Sequence, residues 1–291
     1  MLTNSVAKYI VNCEIEYKDV EINVNQPQLE TGIRTIISNT IDKFSIFIHT
    51  DDGNIAINAY EPRKAASLVK LPILIEAFRQ LESDLFRADT LVYIERDMKV
   101  GGAGVINYLT SSNVYSYKNL MELMIIISDN TAANIVLDKV KMDHVNILAK
   151  HLKCEHTTIQ RKFMDSVSQS AGFENYTSAY DMYHFLTVIA NHGKTINNSS
   201  RSQILEILSN QQLEGKLASY LPFDSDIKLY HKSGELNGVE HDAAIFEYQN
   251  KRLEAVVMSE GWENNGIGNR HIADIGKLLI DYITSDYEEE Y

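Results

Sequence analysis

The 291-residue chain is poor in the residues that staple or bend a fold: it has two cysteines, Cys13 and Cys154, and four prolines. Two cysteines cannot build a disulfide framework and no CxxC knuckle is present, so two free thiols are expected, with a single bridge as the alternative. No Pro- or Gly-rich hinge, repeat or low-complexity linker divides the chain. No run reaches the roughly 18 apolar residues that a membrane helix requires. The opening MLTNSVAKYIVNCEIEYKDVEINVN lacks the basic start, apolar centre and small-residue cleavage site of a secretory signal. As written, the chain is therefore expected to be cytoplasmic, and secreted if a leader has been removed. Basic charge is short as well, with 27 Lys and Arg against 40 Asp and Glu, a formal charge of -13. Such a surface repels phosphate backbones and anionic lipid, which argues against nucleic acid and membrane as partners; its ordinary consequence is solubility.

What is present is a globular balance of 44% hydrophobic and 23% charged residues. The length suits one compact unit or two interleaved lobes. Residues 1–25 alternate weakly, with Glu14, Glu16, Lys18 and Glu21 between apolar neighbours, and read as an added strand or arm. Residues 28–39 place Leu29, Ile33, Ile36 and Ile37 at helical spacing. KFSIFIHTDDGNIAINAYEP reads as two strands around an Asp-Gly turn. From residue 67 to about 195 the period is helical. SLVKLPILIEAFRQLES carries Leu71, Leu74, Ile75 and Phe78 on one face, and YKNLMELMIIISDN carries Leu120, Leu123, Met124 and Ile127. AYDMYHFLTVIAN and SRSQILEILSNQ are two further amphipathic runs. Strand patterns return in DIKLYHKSGEL, HDAAIFEYQ and KRLEAVVMSEG, followed by the helix IADIGKLLIDYI and the acidic tail DYEEEY. The expectation is an α+β fold, with an antiparallel sheet assembled from both chain ends and flanked by helices. Residues 26–66 and 215–291 would form the α/β lobe, 67–214 an inserted all-helical lobe, and 1–25 an N-terminal extension.

Three short motifs carry chemistry. Ser67-Leu68-Val69-Lys70 puts a serine at the opening of a helix and a lysine one turn along the same face. A hydroxyl is a weak nucleophile until a base takes its proton, and a desolvated amine can do so. Alone, the pair also reads as a capping serine and a surface lysine. Ser128-Asp129-Asn130 follows an apolar helix and reads either as the cap of TAANIVLDKV or as a loop aiming a hydroxyl and an amide into a cleft. Lys232-Ser233-Gly234 ends a strand, where glycine allows a ligand close to the backbone and lysine supplies positive charge; an ordinary strand end is the plainer reading.

Taken in order, SxxK, SDN and KSG resemble the penicillin-recognising serine hydrolases, class A β-lactamases in particular. The resemblance runs from about Gln28 to Tyr282, is strongest in LMIIISDNTAANIVLD, and leaves residues 1–25 unmatched. It implies Ser67 as the acylated nucleophile and Lys70 as its base or proton relay. Ser128 would pass a proton to the departing lactam nitrogen, assisted by Lys232. Asn130 would bind the substrate's side-chain amide and Ser233 its carboxylate. After Gly234, the backbone N–H of Glu235 would complete an oxyanion hole with that of Ser67. No cofactor or metal is implied. The partner would be a small-molecule β-lactam or acyl-peptide substrate, and a monomer is expected.

Two departures from the resemblance stand out. The family's omega-loop glutamate, which activates the deacylating water, falls on Phe163 in the segment from Arg161 to Asn175; Asp165 and Glu174 are near but out of register. Arg161 is expected to tie this loop toward Asn175. On the strand after KSG, Val239-Glu240-His241-Asp242 stands where many class A enzymes carry a carboxylate-gripping arginine. His241 would either substitute or make a structural hydrogen bond. The metal-like HLKCEH, with His151, Cys154 and His156, lacks a fourth ligand and reads as a helix end. The GGAG at 101–104 follows no strand and supports no phosphate cradle; by resemblance, Gly104 and Val105 would flank substrate. The sixteen tyrosines are scattered and suggest no stacking platform. The leading expectation is a β-lactamase working through an acyl-enzyme with slow deacylation. The alternatives are a D-Ala-D-Ala peptidase or esterase and a penicillin-binding sensor acylated once. A serine glutaminase shares SxxK but is disfavoured by SDN with KSG.

Overall fold

A computed structural model describes residues 25–285. The expected N-terminal arm, Cys13 and the acidic tail from residue 286 lie outside the described residues. The framework is a five-stranded antiparallel sheet in the order β2-β1-β9-β8-β7. Its strands are β1 (Phe44–Thr50), β2 (Gly53–Ile57), β7 (Lys228–Leu236), β8 (Val239–Tyr248) and β9 (Lys251–Glu260). Both chain ends do meet in it, β1 pairing with β9 from Phe44↔Ser259 to His49↔Glu254.

Both faces of this sheet are covered, so its central strands are buried residue after residue instead of alternately, polar Glu240, His241, Asp242 and Glu254 included. The side-chain period of two then sorts neighbours into separate cores. Ile46, Ile48, Ala244, Phe246, Ala255 and Val257 pack with Leu29, Ile33, Ile275 and Leu279 of α1 (Gln26–Ile36) and α9 (Asn265–Thr284). Phe47, Ala243, Ile245, Val256 and Met258 face the other way, against Met182 and Phe185 of α7 (Ala179–Ala190) and the helices beyond.

The β1–β2 loop is Asp51-Asp52, with Gly53 already paired to Thr50 as the first residue of β2. The turn signal was therefore sound, but the glycine sits one place later than a central turn position. Asn237-Gly238 joins β7 to β8, Leu236 pairing with Val239, a two-residue loop of the kind this dipeptide favours.

Residues 67–214 are mainly helical: α2 (Lys70–Glu82), α3 (Tyr117–Ile126), α4 (Asn130–Val140), α5 (Met142–His151), the short α6 (Ser166–Ser170), α7 and α8 (Asn198–Ser209). They also contribute β4 (Leu91–Tyr93), β5 (Val114–Ser116) and β6 (Tyr176–Thr177), the last pairing with β3 (Arg63–Lys64). α2 runs through the middle and is buried on every side from Lys70 to Phe78, polar Glu76 included, so its single apolar stripe understates its burial. α3 buries Leu120, Met121, Met124 and Ile125, while Leu123 and Ile127 are only half-buried. The buried face is thus turned slightly from the stripe that spacing alone suggested.

Candidate active site

Ser67 sits in a 3-10 turn, Ala66–Val69, that feeds α2, and not at the N-cap of the helix itself. Ala66 enters this turn with φ of 48°, a left-handed conformation that costs about 1 kcal/mol or more and has to be held by its surroundings. Two tethers hold it: Ala65 N–H donates to Asn175 O at 2.8 Å, and β7 runs against the turn. A Cβ on Gly234 would stand 3.3 Å from Ser67 N, so glycine lets the strand approach the nucleophile's main chain this closely. Ser67 and Glu235 both line the open cleft, of about 830 Å³, and the smaller cavity beneath the loop from Arg161 to Asn175. Among the described residues the Ser67 hydroxyl has no hydrogen-bond partner, Lys70 included.

The two lysines converge on Ser128 instead. Lys70 Nζ donates to Ser128 O at 2.7 Å, Ser128 Oγ at 3.0 Å and Asn130 Oδ1 at 2.9 Å. Lys232 Nζ donates to the same Ser128 Oγ at 3.1 Å and to Ser233 O at 2.6 Å. Ser128 is held in the left-handed region, φ 58°, at the junction of α3 and α4. Both lysines are fully buried. Burial first, then the like charge of Lys232, drives Lys70 well below the ordinary lysine range, against a smaller pull from Asp129. Burial lowers Lys232 to about 7, opposed by Asp242 and aided by Lys216. Ser128 Oγ therefore stands within hydrogen-bond reach of two buried amines whose charged forms burial disfavours.

Asp129 takes the capping reading of its motif and adds a tie that the motif did not announce. Its Oδ1 caps α4 by accepting from Ala132 N–H, and its Oδ2 accepts from Val105 N–H at 2.7 Å and Ile106 N–H at 2.9 Å. The loop at 101–106 is thereby bound to the helix, and Gly104, φ 107°, is required because a Cβ would meet Asp129 at 2.3 Å. Asn130 Nδ2 donates to Gly101 O. The GGAG segment therefore braces the cleft wall, and Gly104 and Val105 line the cleft as expected.

On β7, Ser233 lines the cleft and Gly234 O accepts from Lys216 Nζ at 2.9 Å. Lys216 went unnoticed in the sequence. It lies 2.6 Å from Glu240 on β8, both nearly fully buried, and no local spacing announces this pair. Leu217 N–H donates to the buried carboxylate of Asp242, which also meets His231 Nδ1 at 3.1 Å. His241 takes the structural option: Nε2 lies 2.8 Å from Lys64 O, and Nδ1 accepts from Ser259 N–H at 3.1 Å. Burial lowers it to about 4, so it is a neutral imidazole and no grip for a carboxylate. Lys216 lines the cleft with Ser233, its amine held by Glu240 and by Gly234 O.

In the omega-like loop, Asn134 clamps Phe163 from both sides, accepting from its N–H at 2.8 Å and donating to its carbonyl at 3.0 Å. The Phe163 ring then lies 4.5 Å from Lys70 Nζ. Arg161 binds Asn175 only through its main chain; its guanidinium pairs with Glu174, at 2.9 Å from Nε and 2.7 Å from Nη2, where Asn175 was expected. The carboxamide of Asn175 is already saturated by Gln160 N–H, Arg161 N–H and Arg161 O, which leaves the longer, charged Glu174 to meet the guanidinium. Asp165 caps α6, accepting from Ser168 N–H and Ser168 Oγ. Cys154 is a buried free thiol whose Sγ points toward Asp181 O, while His151 is exposed, so HLKCEH is not drawn together. Among the described residues no group of three or more His, Cys, Asp or Glu could hold a metal ion, and no helix is long and apolar enough to cross a membrane.

Comparison with known proteins places this geometry. A β-lactamase from Sphaerobacter thermophilus superposes with a TM-score of 0.81 at 22% identity, covering 90% of this chain and 98% of its own. PBP-A follows with 0.77 at 22% identity, covering 89% and 96%. A β-lactamase from Chitinophaga pinensis gives 0.78 at 18% identity, covering 87% and 98%. At these identities the likeness is one of fold. Among curated proteins none matches. A family model described as the beta-lactamase enzyme family matches residues 28–283, nearly the whole of the described chain, and the protein belongs to that family of serine hydrolases.

Proposed function

We propose that this protein opens β-lactam amides through a covalent ester on Ser67 and releases the product slowly. The observation that carries the reading is Ser128 Oγ lying within hydrogen-bond reach of both Lys70 and Lys232. Ser67 attacks the lactam carbonyl, and its proton passes to the amine of Lys70, whose ammonium form burial and the like charge of Lys232 disfavour. The developing oxyanion is met by the N–H groups of Ser67 and Glu235. Ser128 donates its proton to the departing nitrogen and is resupplied from Lys232. Asn130 receives the side-chain amide of the substrate, and Ser233 receives its carboxylate. The C–N bond breaks, an ester forms, and the ring nitrogen leaves as an amine.

Release of the ester requires an activated water, and Phe163 occupies the place from which a carboxylate would act. This favours a long-lived acyl-enzyme, and with it a second reading: a D,D-peptidase or a sensor that is acylated once. Mixing the protein with benzylpenicillin and following intact mass against absorbance separates them. The proposal expects an adduct on Ser67 that forms fast and decays with measurable lactam loss. An adduct with no turnover selects the sensor, and no adduct in the absence of turnover overturns the reading.

A further inference from the structure

The charged side chains facing the cleft are unevenly matched. Lys216 is closed by Glu240 at 2.6 Å and Arg161 by Glu174 at 2.7 Å, so each of these pairs is neutral toward a ligand. Lys70 and Lys232 lie behind the wall, their amines committed to Ser128 and to main-chain oxygen or Asn130. Glu235 differs from all of them. It is exposed, it lines both the open cleft and the cavity beneath the omega-like loop, and Ser67 stands at the junction of the same two spaces. Among the described residues its carboxylate makes no hydrogen bond and no ion pair. On β8 the residue opposite in register is Glu240, so a second carboxylate, not a cation, is its cross-strand neighbour.

We infer that Glu235 is a specificity determinant, whose carboxylate makes the cleft favour substrates bearing an ammonium group near the scissile amide over substrates bearing an additional carboxylate there. The inference rests on the acyl-enzyme reading above and adds to it the charge class of the side chain selected. An unpaired charge lining the same cleft as the acylated serine acts on a substrate charge through partly solvated space. Each sign of substrate charge should then change the acylation rate by about 3- to 10-fold, in opposite directions. Because Glu235 is exposed, salt screens this effect over roughly 10 Å at 0.1 M.

The test measures acylation by quenched intact mass with three penicillins that differ at the side chain: benzylpenicillin (neutral), ampicillin (α-ammonium) and carbenicillin (α-carboxylate). Rates are normalised to benzylpenicillin within each protein, which cancels any effect of substitution on the oxyanion hole. Wild type should prefer ampicillin to carbenicillin by about tenfold or more at low salt, with the preference shrinking at about 1 M. Glu235→Gln should collapse the ratio toward one, and Glu235→Lys should invert it. Equal ratios in wild type and Glu235→Gln overturn this inference alone. Failure of wild type to form an adduct even with benzylpenicillin overturns the acyl-enzyme reading, and this inference with it.

Discussion

Phe163 presents its ring 4.5 Å from the amine of Lys70, and Asn134 holds its main chain at both N–H and carbonyl. The loop is therefore held here by hydrogen bonds as well as by the buried ring, and on the proposed mechanism that apolar ring stands where a water would have to be deprotonated. A positioned general base contributes roughly 10²–10⁴-fold. Asp165 cannot easily take over, because both of its oxygens cap α6. Stopped-flow hydrolysis of a chromogenic lactam should show a burst equal to enzyme concentration and then weak turnover. Phe163→Glu should accelerate the slow phase without slowing the burst. Efficient steady turnover by wild type, with no burst and no trapped adduct, would falsify this account of Phe163.

Substitution at the nucleophile should separate chemistry from folding. Ser67→Ala removes a hydroxyl that has no hydrogen-bond partner among the described residues, so thermal stability should stay within about 0.5 kcal/mol of wild type while adduct formation disappears. Lys70→Ala should keep the nucleophile and lose the base, lowering the acylation rate by about 10²–10⁴-fold. An unchanged rate would assign the proton to another group. Because Ser67 and Lys70 are not hydrogen-bonded to each other in this structure, the contact between them is expected to form as substrate enters.

Lys232 couples the site to pH. Its folded pKa, lowered to about 7 from 10.5, lies below that of the unfolded chain, so the unfolded state binds more protons between these values. The sign follows: this group makes the fold gain stability as pH rises from about 7 toward 10.5, and the penalty for keeping it uncharged is largest below 7. Urea unfolding across that window should give wild type a slope steeper than that of Lys232→Met, by up to about 1.4 kcal/mol per pH unit. Parallel slopes would mean that Lys232 keeps its proton when buried.

Arg161 and Glu174 form a buried ion pair beneath the loop that carries Phe163. Removing one partner leaves an uncompensated charge, at a cost of about 3–5 kcal/mol. Glu174→Ala should lower the denaturation midpoint and increase hydrogen exchange over residues 161–175. Glu174→Gln should recover part of the loss by retaining a hydrogen-bond acceptor. Equal loss in both variants would point to packing, not charge, as the role of Glu174.

Much of the site was legible because its chemistry is local. SxxK, SDN and KSG are short words whose residue types follow from activating a hydroxyl, and their order was enough to announce the meeting of Lys70, Ser128 and Lys232. The helices and the strand pairs also follow from periodicity, since burying one stripe or both faces of a sheet leaves a mark on neighbouring positions. That Phe163 belongs to the loop lining the Ser67 cavity was legible for a similar reason, as its distance along the loop from Arg161 is a matter of chain length.

What the sequence did not disclose depends on which distant groups the fold brings together. Nothing near Lys216 names Glu240 as its partner, and nothing near Arg161 distinguishes Glu174 from Asn175 before the carboxamide's bonds are assigned. His241 was open between two roles until the strand register put its imidazole between Lys64 O and Ser259 N–H. Ser67 proved to sit in a 3-10 turn, a local choice favoured by the tether from Asn175 and by β7 running against the backbone at Gly234. Residue type and spacing determined which reaction this chain is equipped for. Only tertiary packing decided which charges are paired, which amines burial pushes below the ordinary lysine range, and which carboxylate is left without a partner at the cleft, because desolvation and pairing are properties of the space between elements and not of any stretch of chain.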